Sequence, residues 1–169
     1  FLGKWAGGAV NTGFLNVAIG PRAGDALTDG YGNTALGYEA LTTSTSVVYA
    51  TALGAGAMGD GNVTTGANYT TAVGVGYLKK LTSGGGNLAV GYNALTGNTT
   101  GARNIAIGYG AMDGSGGATV LDSDDNVFMG YDAGGGTWTT AKSEYNVGIG
   151  NYVMDAAMNG STWNTVVGY

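Results

Sequence analysis

The sequence predicts an all-β solenoid, and three observations predict it: a phrase that returns along the whole chain, an excess of glycine, and a scarcity of charge. NTALGYEAL at 33–41 comes back as NLAVGYNAL at 87–95 and as NIAIGYGAM at 104–112. Glycine supplies 35 of the 169 residues, whereas charged residues make up only 10%. Glycine weakens a helix interior by roughly 1 kcal/mol relative to alanine, so this composition argues against a helical or coiled-coil fold. A single proline and the lack of a Gly-x-y period exclude collagen.

With the glycine of NTALG as position 0, the frame recurs at Gly3, Gly20, Gly37, Gly54, Gly74, Gly91, Gly108, Gly130, Gly150 and Gly168. The spacings are 17, 17, 17, 20, 17, 17, 22, 20 and 18. About ten coils of modal length 17 therefore fill residues 1–169 as one repeat domain, leaving no room for a second. Each coil buries its apolar columns by stacking on its neighbours.

Each column has its own chemistry. Position −1 is always aliphatic or Met, position −3 is Val, Thr, Leu or Ile, and position −2 is Ala in six of ten repeats. Such residues favour a strand, in which −1 and −3 share one face and −2 takes the other. Both faces are apolar, which predicts burial of both: one inside the coil, and the Ala-lined one against a second, closely approaching surface. Glycine then permits a tight turn, and a second short strand is expected to begin at the Tyr of GYEAL. Position −4 is Asn at Asn16, Asn33, Asn87, Asn104, Asn126, Asn146 and Asn164. Stacked Asn side chains are expected to hydrogen-bond along the ladder and cap the turn.

The phrases NVAIG, NTALGYEAL, NLAVGYNAL and NIAIGYGAM resemble the N-x-A-I-G repeats of YadA-like head domains in trimeric autotransporter adhesins. With GY-x-AL and the connector TGNTTGA at 96–102, they are still more similar to repeats of phage tail-fibre proteins. The resemblance covers essentially all of the chain. It implies a parallel, left-handed β-roll and a homotrimer, intertwined or side by side about a threefold axis. Such a trimer would supply the surface that the Ala column asks for. Ala50 and Thr70 depart from the Asn column, and Phe128 and Gly148 from the Ala column. Phe128 is bulky for a threefold seam and predicts a local widening or a register change. A chain that starts at Phe1 is expected to be an excerpt of a longer fibre chain.

A formal charge of −5 disfavours nucleic acid and anionic membrane surfaces as partners. No apolar run is long enough to insert in a membrane, and no signal peptide is visible. There is no His and no Cys, so triad chemistry and the usual zinc sites are not expected. The G-x-G-x-x-G match at 54–59 falls into the repeat frame and opens no helix. The DSDDN run at 122–126 could suggest calcium but reads better as a solvated turn. Neither enzyme activity, nor a catalytic residue, cofactor or metal is expected.

The four lengthened spacings place extra residues at 59–69, 113–125, 134–145 and 155–163. Loops on a rigid scaffold carry function, and exposed aromatic rings are stacking surfaces for a host-surface glycan or protein. Tyr69, Trp138, Tyr145 and Trp163 are therefore the candidate ligand-binding residues, against a reading in which the rings merely cover the outer strands. The Tyr column at +1 is expected to pack between coils. The expected function is a structural and receptor-binding segment of a trimeric fibre, in a virion tail fibre or at an extracellular or cell surface. The alternatives are a bacterial adhesin head and a shaft with no ligand of its own.

Overall fold

The computed structural model describes residues 1–59, 63, 65–76, 78, 80–114, 123–138 and 141–169. Each repeat contributes one strand of three residues. These are β1 Val17–Ile19, β2 Thr34–Leu36, β3 Thr51–Leu53, β4 Thr71–Val73, β5 Leu88–Val90, β6 Ile105–Ile107, β7 Val127–Met129, β8 Val147–Ile149 and β9 Thr165–Val167. They form a single sheet in chain order, and every pairing is parallel. The chain is a parallel β-solenoid. Leu2 adds only an isolated bridge to Ile19, so nine strand-bearing coils and one partial rung stand where ten coils were expected.

Register follows the frame throughout. Ala35 pairs with Ala52 and Ala52 with Ala72, although three extra residues lie in the second connection. Ala106 pairs with Phe128 and Phe128 with Gly148, so the expected register change at Phe128 does not occur. The lengthened connections do not shift the ladder. Among the described residues the one helical element is a 3-10 turn at Thr65–Ala67.

The two strand faces are the reverse of the expected assignment. The Ala column points into the coil: Ala18, Ala35, Ala52, Ala72, Ala89 and Ala106 are fully buried. The larger aliphatic side chains at −3 and −1 point outward and stay part-exposed, with Leu36 at 38% and Val17 at 48%. The reason is space. The interior already holds Leu41, Met58, Leu95 and Met112 from the opposite side of the coil, all fully buried, so only a methyl group fits on the strand side.

Those opposing residues also explain why the second strand is missing. In GYEAL both Ala40 and Leu41 are buried, which alternation within a strand forbids. The backbone instead takes positive φ at positions +2 and +4, as at Glu39 (54°) and Leu41 (55°), and again at Asn93 (59°) and Leu95 (53°). Left-handed conformations cost non-glycine residues roughly 1–2 kcal/mol each. Coil-to-coil bonding offsets that cost. The N–H at +2 donates to the previous coil (Glu39 to Pro21 O, 3.1 Å), and the N–H at +4 to the next (Leu41 to Ala57 O, 2.9 Å).

The Asn column forms the expected ladder. Asn87 Oδ1 accepts from Asn104 N–H at 2.9 Å and Asn104 Oδ1 from Asn126 N–H at 3.1 Å, and the pattern continues through Asn146 to Asn164. Each amide but that of Asn164 also donates to a turn carbonyl of the next coil, as Asn33 does to Val47 O and Asn126 to Ser143 O. Where the column breaks, Thr70 Oγ1 reaches Asn87 N–H at 3.4 Å, a weak substitute. The glycines at position 0 have φ between 124° and 156°, a region open essentially to glycine alone.

Candidate functional site

The insertion-loop aromatics do not scatter over four loops. Tyr69, Tyr145 and Trp163 all occupy position −5, the residue directly before the Asn column, and all have φ near 60°. The same position holds Leu15, Tyr49, Arg103 and Asp125 in other coils, again with positive φ. Leu15, Tyr49, Tyr69, Tyr145 and Trp163 are all exposed, so this column forms a rail along one side of the solenoid. Counting back one residue from each Asn would have revealed it in the sequence.

Along the rail, rings stack coil on coil. Phe14 lies flat on Tyr31 (4.8 Å, 5°), Tyr31 meets Tyr49 edge-on (5.3 Å), and Tyr49 stacks on Tyr69 (5.6 Å, 16°). At the far end Tyr145 stacks on Trp163 at 4.2 Å, with the indole 75% exposed. Between the two aromatic runs the rail is ionic. Arg103 grips Asp125 with both Nε (2.6 Å) and Nη2 (2.8 Å) and lies 3.5 Å from Asp124. Lys142 bridges Asp124 and Glu144. The Arg103 hydrogen bond holds the Asp125 carboxyl below the usual carboxylate range, and the same pairing raises the Arg103 guanidinium.

Trp138 is not part of the surface, which corrects the expectation that it binds a ligand. It is fully buried, its Nε1 donates to Gly134 O at 2.9 Å, and its ring meets Phe128 edge-on at 5.8 Å. Gly134 takes position +4, where Leu41, Met58, Leu78, Leu95, Met112 and Met154 stand in other coils. Trp138 and Phe128 together fill that vacated interior.

A second rail runs at position +1. Tyr92, Tyr109 and Tyr131 stack at 5.1 Å each, and Tyr152, at +2 of its coil, closes edge-on against Tyr131 at 5.2 Å. This is the expected packing between coils, although the rings remain about half-exposed. Both rails are interrupted. Between Tyr38 and Tyr92, Ala55 and Val75 take the place of Tyr and floor a hollow of about 460 Å³. Between Tyr69 and Arg103, Gly84, Gly85 and Gly86 floor another of about 520 Å³.

A third, smaller hollow gathers Asp113, Asp132 and Asp155. Burial pushes the Asp113 carboxyl up, and the Asp132 charge adds to the effect. Of the DSDDN run, Asp122 lies outside the described residues, and Asp124 and Asp125 are taken up by Arg103 and Lys142. Among the described residues no group of three His, Cys, Asp or Glu is placed to hold a metal ion. No known family model matches the chain, and no curated protein or solved structure matches it either.

Proposed function

We propose that the chain is a structural and receptor-binding segment of a trimeric fibre, of the kind that attaches a phage tail to a host cell surface, with no catalytic role. The observation that carries this reading is the outward strand face. Position −3 and position −1 present Thr, Val, Ile, Leu and Met on every strand of a nine-strand sheet in unbroken register, with no charge among them. An apolar face that runs the length of a rod points to a lasting partner. Because the face repeats coil by coil, a parallel copy of the same chain matches it at each level. The seam therefore lies on the aliphatic columns and not on alanine.

Light scattering tests the assembly. A mass three times the 16.7 kDa chain is expected, and a folded monomer would refute the proposal. Leu36→Glu, at a part-exposed position, should dissociate the trimer while leaving the coil intact by circular dichroism. Attachment of the labelled fibre segment to host cells separates a receptor-binding segment from a plain shaft. A shaft alone would not adhere.

A further inference from the structure

We infer that the hollow between Tyr69 and Arg103 is a subsite for a neutral pyranose, held in the rail where one rung has no side chain. This deepens the receptor-binding reading above and rests on it only for what displays the sugar.

The missing rung is specific to one coil. Gly32 also stands at −5, but there the preceding residue, Tyr31, supplies a ring. In the coil of Gly86 the preceding residues are Gly85 and Gly84, so nothing fills the space. Coils repeat at roughly 4.7–4.9 Å, so Tyr69 and Arg103, two coils apart, face each other across about 9–10 Å. That leaves one ring's place, opening into a hollow of about 520 Å³. The vacancy is not imposed by crowding. A Cβ on Gly86 would meet nothing closer than Arg103 Cγ at 3.4 Å, and its φ of 72° is close to the 61° that Tyr69 adopts.

The two walls differ in chemistry. Tyr69 is 67% exposed, and its orientation is fixed from behind by Tyr49. It offers the flat apolar surface on which the C–H face of a sugar stacks. The opposite wall is a guanidinium fixed by Asp125, with Asp124 alongside. Two carboxylates offset the Arg103 charge, so the site does not favour an anion. Instead it sets donors and acceptors around the equator of a bound ring, joined by Asn68, Ser83 and Thr100. A hydroxylated ring can use the hydrogen-bonding capacity these groups retain, which an aromatic side chain cannot. A nucleobase would bring phosphates to a chain of net charge −5.

A glycan array followed by titration of the intact chain with the methyl glycosides of glucose, galactose and N-acetylglucosamine tests the inference. Amide resonances of Gly84, Gly85 and Gly86 report the site. The expected result is binding of at least one pyranose, in the millimolar range for a single ring. Gly86→Tyr, which completes the stack at the left-handed φ that Tyr69 also adopts, and Tyr69→Ala should each weaken binding at least about tenfold, with melting curves showing both variants folded. Tyr92→Ala, on the other rail, should leave binding unchanged. No perturbation at these glycines by any of the three sugars, or binding that survives Gly86→Tyr, overturns the inference. Cell attachment without sugar binding would sink the inference and leave the fibre reading standing. Sugar binding without attachment would do the opposite.

Discussion

The Phe128 ring occupies the space left by the absent side chain of Gly148 in the next coil. A Cβ on Gly148 would lie 2.6 Å from Phe128 Cδ1, and its own φ is unexceptional, so the glycine is there for room. Both residues depart from the Ala column, and they depart together. Phe128→Ala should cost roughly 3–5 kcal/mol by opening a cavity beside Trp138. Gly148→Ala should cost roughly 1–3 kcal/mol by overpacking. The double variant restores Ala on Ala and should cost clearly less than the sum in denaturant unfolding. Strict additivity would mean that the two do not share one space.

The Asn ladder makes opposite predictions for two positions of the column. Asn104 accepts from Asn126 N–H and donates to Ser123 O, all within the buried column. Asn104→Ala strands both groups and should lower stability by roughly 2–4 kcal/mol. Thr70→Asn restores the acceptor that Asn87 N–H finds only at 3.4 Å, and should raise stability by about 1 kcal/mol. Thermal unfolding of the two variants beside the parent chain checks both signs.

How much of this was legible follows from what each residue does. Asn104 and Gly37 act on the same atom of every neighbouring coil, so their columns declare the stack and its register. For Ala35, alternation separates two faces without saying which is inner. Deciding that needs the volume already filled by Leu41 and Met58, and those lay in a segment read as a second strand. The doublet Ala40–Leu41 carried the warning, since adjacent buried residues do not fit a period of two. Trp138 lies in a lengthened connector outside the repeat frame, so no column shows that it plugs the space beside Gly134. The rail at −5 is legible as the residue before each Asn, although Tyr69, Tyr145 and Trp163 also lie in lengthened connectors.

Glycines at position 0 and at Gly86 both have positive φ yet should respond very differently to alanine. At Gly37, φ is 136° and a Cβ would lie 2.5 Å from Gly54 O, a backbone atom that cannot swing away. Conformational strain adds to that clash, so Gly37→Ala should cost more than about 4 kcal/mol or prevent folding. Gly86→Ala faces only the left-handed penalty of roughly 1–2 kcal/mol. Comparison of soluble yield and melting temperature distinguishes them, and equal losses would contradict the assigned coil geometry.

Asp113 gives the chain an identifiable pH signature. Burial, then the Asp132 charge, raises its carboxyl above the ordinary value near 3.9. Between that ordinary value and the raised one, the folded chain holds more protons here than the unfolded chain does. This group's contribution to stability therefore improves as pH falls through that window, and at neutral pH the charged form is a net burden. Asp113→Asn removes the burden. It should raise the melting temperature modestly at pH 7, and its advantage over the parent should shrink as pH falls below the ordinary carboxylate value, where Asp113 is protonated in both states. An advantage that persists unchanged at low pH would show that the amide acts through a new hydrogen bond and not by relieving the charge.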